Sequence, residues 1–67
     1  MNTLTAKKTE NDGRQWHVLD GTDCGTGVDF DAAEYGVTDD KVILNSDGYP
    51  LTEGDRETIA VRNAIGI

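Results

Sequence analysis

The sequence predicts an α+β fold in which a small antiparallel sheet, built from two hairpins, is followed by one C-terminal helix. Short stretches of alternating apolar and polar residues, separated by Asp-Gly turn signals, predict the hairpins. Apolar residues at helical spacing behind a capping signal predict the helix. The 67 residues form a single small acidic domain, 1–67, and a chain this short has a thin core.

The first hairpin is predicted within the first twenty residues. Thr3–Thr9 is rich in threonine and has the composition of an edge strand, in which Lys7 and Lys8 discourage pairing between sheet edges. Asn11-Asp12-Gly13 is a strong turn signal, because Asp-Gly adopts positive φ readily. Arg14–Leu19 then alternates in polarity, as a half-buried strand does.

The middle of the chain leaves two alternatives open. Asp20–Gly27 contains three glycines and is predicted to be a loop. Val28–Asp31 alternates and favours a short strand, whereas Asp31 followed by 32–35 also fits the first turn of a helix capped by Asp31. The pattern does not choose between strand and helix over 28–35.

The second hairpin is predicted around Ser46-Asp47-Gly48. Lys41–Asn45 contains a compact apolar run of high β propensity before this turn. Tyr49–Leu51 follows it, and Pro50 confines any strand there to an edge because proline cannot donate to a ladder.

The helix is predicted to begin at Thr52. Thr52 as N-cap and Asp55 three residues later resemble a shortened capping box. Three acids near the start and Arg62 near the end suit the helix dipole, and Gly66 supplies the stop; the acids are Glu53, Asp55 and Glu57. The last turns are apolar over more than half their circumference, so the helix is expected to contact two surfaces.

The strongest functional signal is a run of acidic residues with no basic residue among them, here called the acidic belt. Its members are Asp20, Asp23, Asp29, Asp31, Glu34, Asp39 and Asp40. The formal net charge is −7, which argues against direct binding of nucleic acid or of an anionic membrane. Such a belt suits a strongly positive protein partner, such as a Lys/Arg-rich nucleic-acid-binding groove.

Catalysis and metal binding have weaker signals. Cys24 and His17 are the only soft ligands, and the acids around Cys24 make it a poor nucleophile, so no enzyme activity, cofactor or metal is expected. A calcium loop over Asp20–Asp31 is the alternative, with a glycine at its sixth position, but Cys24 stands at the fifth, where an oxygen ligand is needed.

Aromatic residues divide into one predicted core residue and two predicted contacts. Trp16 is expected in the core, because the chain has few large apolar groups. Tyr35 and Tyr49 lie beside acids and glycines in expected loops or turns, and are predicted to be exposed contacts.

Targeting signals are missing from the sequence. The first ten residues lack the apolar segment of a signal peptide, and no apolar run approaches eighteen residues. The single cysteine excludes an internal disulfide. A cytoplasmic location is therefore expected.

A short acidic chain without a catalytic set, secretion signal or disulfide resembles the small phage-encoded inhibitors of the anti-CRISPR and anti-restriction type, several of which are similar to double-stranded DNA in charge. The resemblance covers composition and the acidic belt, with no shared motif. It implies a non-enzymatic DNA mimic that occupies the positive DNA channel or PAM-reading surface of a host defence complex, such as a CRISPR effector, in the host cytoplasm. The belt would meet Lys/Arg side chains, with Tyr35 as a packing contact.

A second interpretation of the same composition is a small structural or assembly subunit, of virion type, from a high-salt organism. The acids would then serve hydration on every face of the molecule. Asp outnumbers Glu nine to four, and Asp is the shorter and more heavily hydrated side chain.

Overall fold

The computed structural model describes residues 4–11 and 14–67 and confirms the predicted α+β class. A four-stranded antiparallel sheet is followed by one C-terminal helix. The elements are β1 (Thr5–Asn11), β2 (Arg14–Thr22), β3 (Asp29–Val37), β4 (Ile43–Leu44) and α1 (Arg56–Ile65).

The four strands lie in the sheet in chain order, β1-β2-β3-β4, and each pairs antiparallel with the next. The register of the first hairpin runs from Thr5 opposite Asp20 to Asn11 opposite Arg14, which confirms the first predicted hairpin. Thr3, Asp12 and Gly13 of the predicted strand and turn lie outside the described residues.

The middle of the chain is a strand. β3 runs continuously through Asp29–Val37, so the alternative of a helical turn over 31–35 is wrong. β2 also extends to Thr22, three residues into the predicted loop, because the chain from Asp20 to Thr22 pairs with β1 and β3. Only 24–26 form a turn within the predicted loop.

The second predicted hairpin is present, but its two strands share a single bridge. Leu44 and Pro50 form a single antiparallel bridge, and the Leu51 N–H donates to the Ile43 carbonyl at 2.9 Å. Pro50 lies at the edge of this pairing, as a residue without an N–H must. β4 is therefore held on one side by β3 and on the other by the segment around Pro50.

The helix begins later than predicted. Asp55 is the N-cap, and Thr52 is not, because Gly54 takes a φ of 91°, which a right-handed helix excludes. The side chain of Asp55 makes no capping bond, so the predicted capping box is also wrong. Gly66 ends the helix as predicted, in the left-handed conformation at φ 88°.

The core lies between α1 and one face of the sheet. Leu19 is fully buried there, and Ala60 and Val61 reach it from the helix. Alternate strand residues share a face, so this cluster marks the helix-facing side. Its buried members are Leu19, Phe30, Tyr35, Ile43, Ala60 and Val61.

Trp16 is buried, at 7% exposure, but it lies outside that cluster. Trp16 is three residues before Leu19 on β2, so strand alternation places it on the opposite face, turned away from α1 and here called the open face. Its ring lies over Gly36, where an added Cβ would be 3.1 Å from the ring. Leu44 of β4 is paired with Gly36 and lies on the same face. The predicted core tryptophan thus belongs to a second, smaller apolar cluster.

Candidate functional site: an acidic patch on the open face

Four members of the acidic belt follow the strand alternation onto the open face. Asp29 and Asp31 flank the buried Phe30, and Glu34 lies between Ala33 and Tyr35 of the core side. Because neighbours on a strand point to opposite faces, these three acids point away from α1. With Asp20 from β2, they are here called the open-face patch: Asp20, Asp29, Asp31 and Glu34.

A β-bulge brings Asp20 beside Asp31. The register between β2 and β3 shifts between Leu19 and Gly21, so Asp20 alone lies opposite both Asp31 and Ala32. Ala32 takes a φ of 51°, a strained value for a residue with a side chain. The Asp20 Oδ1 accepts the Ala32 N–H at 3.3 Å, which supports the bulge.

Asp29 is oriented by its cross-strand neighbour. Thr22 lies opposite Asp29 in the register, and its Oγ1 donates to Asp29 Oδ1 at 2.5 Å. A carboxylate has about four lone-pair sites, so one accepted bond leaves most of its capacity for a partner. Asp29 and Asp31 are separated by roughly 6.6–6.8 Å along the strand, close to the spacing of alternate phosphates on one DNA strand.

Asp23 does not belong to this surface. It is 6% exposed, and its Oδ2 accepts the Oγ1 hydroxyl of Thr26 at 2.7 Å and the Thr26 N–H at 3.2 Å. The carboxylate therefore closes the turn between β2 and β3 instead of facing a partner. The sequence-based expectation that Asp23 lies on an exposed acidic surface is wrong for this reason.

Asp39 and Asp40 are exposed, but they occupy the turn between β3 and β4. Thr38 holds that turn: its N–H donates to the Val42 carbonyl, and its Oγ1 accepts the Val42 N–H, both at 3.0 Å. The strand from Asp31 to Val37 is about 20 Å long. The acidic belt therefore divides into the open-face patch and a separate acidic turn.

Tyr35 is a core residue, so its predicted exposure is wrong. It is 5% exposed and meets Phe30 edge to face, with ring centroids 5.9 Å apart. Its hydroxyl donates to Glu57 Oε2 of α1 at 2.5 Å. Burial raises the pKa of Tyr35, and the hydrogen bond and negative charge of Glu57 raise it further. Residue 35 alternates onto the helix-facing side, which explains the error.

Tyr49 has the exposure predicted for it, at 69%. Asn45 holds the loop that carries it: its Oδ1 accepts the N–H groups of Asp47 and Tyr49, and its N–H donates to the Tyr49 carbonyl at 2.8 Å. The exposed ring is thus presented on an ordered loop.

The soft ligands are apart from each other. Cys24 is exposed in the turn after β2, whereas His17 is half-buried on β2 opposite Lys8 and Tyr35. Burial lowers the pKa of His17, and the charge of Lys8 lowers it further. Among residues 4–11 and 14–67, no group of three or more His, Cys, Asp or Glu side chains is placed to hold a metal ion.

Three interactions of the helix have no signal in the sequence. Glu57 bonds Tyr35 from 22 residues away, and Arg62 bonds both Glu53, at 2.5 Å, and the Lys41 carbonyl, at 2.9 Å. They attach α1 to the sheet and to the β3–β4 turn.

Within the described part of the chain, no helix has the length and hydrophobicity to cross a bilayer.

Comparison with known protein families, curated proteins and solved structures finds no match. The arrangement of side chains on the open face is therefore the basis for inferring a function.

Proposed function

We propose that this chain is a non-enzymatic binding protein that presents the open-face patch as a mimic of DNA charge. The partner is a protein with a Lys/Arg-rich nucleic-acid-binding surface, such as the DNA channel or PAM-reading surface of a CRISPR effector in a host cell. Binding there would exclude DNA and inhibit the complex. The observation that supports this proposal is the convergence of four belt carboxylates on the sheet face opposite the helix.

The patch has the geometry that an electrostatic contact needs. Asp29 and Asp20 are already oriented by bonds to Thr22 and to the Ala32 N–H, so less side-chain freedom is lost on binding. The strands below are fixed by the core. Carboxylates on a folded sheet meet a cationic groove without the deformation energy that a bent DNA duplex requires.

Capture from a lysate of the host cell tests the proposal. Immobilised wild-type protein is expected to retain a nucleic-acid-binding protein, which double-stranded DNA and salt should each release. Asp29→Lys with Asp31→Lys should weaken the complex at least tenfold, which is about 1.4 kcal/mol. Retention that neither DNA nor salt reverses would contradict the proposal.

The acidic turn supplies a matched control. Asp39→Lys with Asp40→Lys changes the net charge as much, from −7 to −3, since each Asp→Lys adds two charges. The control is expected to bind nearly as well as wild type. Equal losses in both double variants would mean that only total charge matters.

A second candidate is the structural subunit from a high-salt environment. The exposed acids outside the patch favour it, because they lie on β1, the helix, its preceding turn and two loops: Glu10, Asp39, Asp40, Asp47, Glu53, Asp55 and Glu57. The exposed Ile59 of α1 and Ile67, which follows the helix, would be covered by neighbouring subunits. Thermal melts against KCl concentration distinguish the two. A hydration role predicts a large gain in stability toward molar salt, whereas a mimic should be well folded in dilute buffer.

A further inference from the structure

The two edges of the sheet are protected differently. At one edge, β4 is followed by the bridge between Leu44 and Pro50, which covers the outer side of the strand. At the other edge, β1 has β2 on one side and no strand among the described residues on the other. An uncovered edge strand of seven residues is a template for pairing with another chain.

Hydrogen bonds at the opposite edge of the sheet determine which backbone groups are directed outward at β1. The Ile43 carbonyl accepts from Leu51, so it points away from β3. Backbone groups alternate in direction along a strand, and those of Leu44 therefore bond to Gly36 in β3.

The same alternation continues across the sheet. The N–H and C=O of Gly36 are directed toward β4, so those of its neighbour Tyr35 are directed toward His17 in β2. The backbone groups of His17 point back toward β3, and those of its neighbour Trp16 therefore point toward Thr9 in β1. Thr9 therefore directs its N–H and C=O inward. The β1 residues whose backbone groups point out of the sheet are Ala6, Lys8 and Glu10.

The charges on this edge are self-complementary in one register. Lys8 and Glu10 share one face, two residues apart, with Thr9 between them. An antiparallel pair of β1 strands related by a twofold axis at Thr9 places Lys8 of each copy opposite Glu10 of the other. Axes at Lys7, Lys8 or Glu10 instead place like charges directly opposite, which is destabilising.

Thr9 carries a second, independent signal. Its Oγ1 is buried without a hydrogen-bond partner among the described residues. At the axis the two Thr9 residues form a non-hydrogen-bonded pair, in which the Cα atoms are about 4.5 Å apart and the side chains are closest. A rotation about χ1 lets each hydroxyl bond the other, as threonine pairs do across strands.

We propose that the outer edge of β1 is an interface for a second copy of this chain, with the twofold axis at Thr9. Four backbone hydrogen bonds between Lys8 and Glu10 and two ion pairs hold it. The lysines of the edge thus select a register rather than forbid association. The joined sheet has eight strands, and the two open-face patches lie on the same side, their β3 strands about 24 Å apart across five strand spacings.

Sedimentation equilibrium over about 10 µM to about 1 mM protein tests the interface, because an edge pairing buries less than a standard interface and should be weak. The two copies both have a charge of −7, so raising salt from about 0.01 M to about 0.15 M should strengthen the dimer by screening repulsion. The complex with a cationic partner should weaken with salt, so the two proposals fail separately. A strict monomer at about 1 mM would overturn the interface.

Charge swapping identifies the register. Lys8→Glu and Glu10→Lys should each weaken self-association at least tenfold, since each places like charges opposite one another. An equimolar mixture of the two variants should recover the wild-type affinity, because every pair across the axis is then opposite in sign. Lys41→Glu and Asp39→Lys, with the same charge changes away from the edge, should dimerise as wild type does.

Two outcomes would overturn the assignment. The first is a mixture that stays monomeric although wild type dimerises, and the second is an equal loss in the controls. If either single variant unfolds, amide chemical shifts of wild type on dilution decide the question. The Lys8 and Glu10 amides should then shift most, and an unchanged β1 would contradict the proposal.

Discussion

The two faces of the sheet use alternate residues of the same strands for different chemistry. The helix-facing side carries the main core, in which Leu19 of β2 and Val61 of α1 are both at 0% exposure. The open face, turned away from α1, carries Asp29, Asp31 and Glu34 between the core residues of β3. The larger part of the core lies on one side of the sheet, and the other side carries the carboxylates of the open-face patch.

The open face is itself divided. Near β4 it is apolar, with Trp16 over Gly36 and Leu44 in the adjoining row. Near the bulge it is acidic, with Asp20 beside Asp31. Trp16 packs on the same strands, β2 and β3, that hold the acids. Substitutions on the two faces should therefore differ in their effect on stability.

Leu19→Ala should have the largest effect on stability. Removing a fully buried leucine in a core this small should lower the free energy of unfolding by about 2–5 kcal/mol. Val18 precedes Leu19, and its side chain lies on the open face. Val18→Ala should lower the free energy of unfolding by less than about 1.5 kcal/mol. Urea unfolding compares the two, and similar losses would remove the distinction between the faces.

Gly36→Ala tests the second cluster. A methyl group there would lie 3.1 Å from the Trp16 ring, so the free energy of unfolding should fall by about 1–3 kcal/mol. In a Trp16→Leu background the same substitution should be much less harmful, because the ring is gone. A double-mutant cycle measures the difference. Equal losses in both backgrounds would show that the ring does not restrict position 36.

Tyr35→Phe should lower the free energy of unfolding by about 1 kcal/mol, since the bond to Glu57 is lost. Wild type should also lose stability above about pH 10, where the unfolded tyrosine ionises while the raised pKa keeps Tyr35 protonated in the folded state. Tyr49→Phe, at an exposed ring, is the control and should change neither value. Alkaline denaturation of Tyr35→Phe identical to wild type would contradict this account.

Asp29→Asn with Asp31→Asn should have the smallest effect on folding. The free energy of unfolding should stay within about 0.5 kcal/mol of wild type, rising slightly at low salt because like charges are removed. The melting temperature at low and high salt provides the measurement. A loss of several kcal/mol would mean that these acids serve the fold and not a partner.

Local signals were sufficient for the sheet and the first hairpin, because alternation and Asp-Gly turns act over a few residues. They were insufficient for the helix start, because Gly54 adopts a positive φ after the predicted cap Thr52 and moves the N-cap to Asp55. The strand at 28–35 was ambiguous for a related reason: the bulge at Ala32 interrupts the alternation that marks a strand.

The candidate site was predicted in part. The charges of the open-face patch were visible in the sequence, but their separation from Asp23 and from the acidic turn depends on tertiary contacts. Asp23 accepts two hydrogen bonds from Thr26 within a local turn. The glycines around this turn allow many backbone conformations, so its geometry could not be predicted from the sequence. The contact between Tyr35 and Glu57 spans 22 residues, beyond the reach of any local pattern.

The most direct test of the open-face patch is the affinity of the captured partner for three proteins at low salt: wild type, Asp29→Lys with Asp31→Lys, and Asp39→Lys with Asp40→Lys. We expect the first double variant to bind at least tenfold more weakly than wild type and the second to bind within about threefold, although both have the same net charge. Equal affinities of the two double variants would contradict the assignment of binding to the open face.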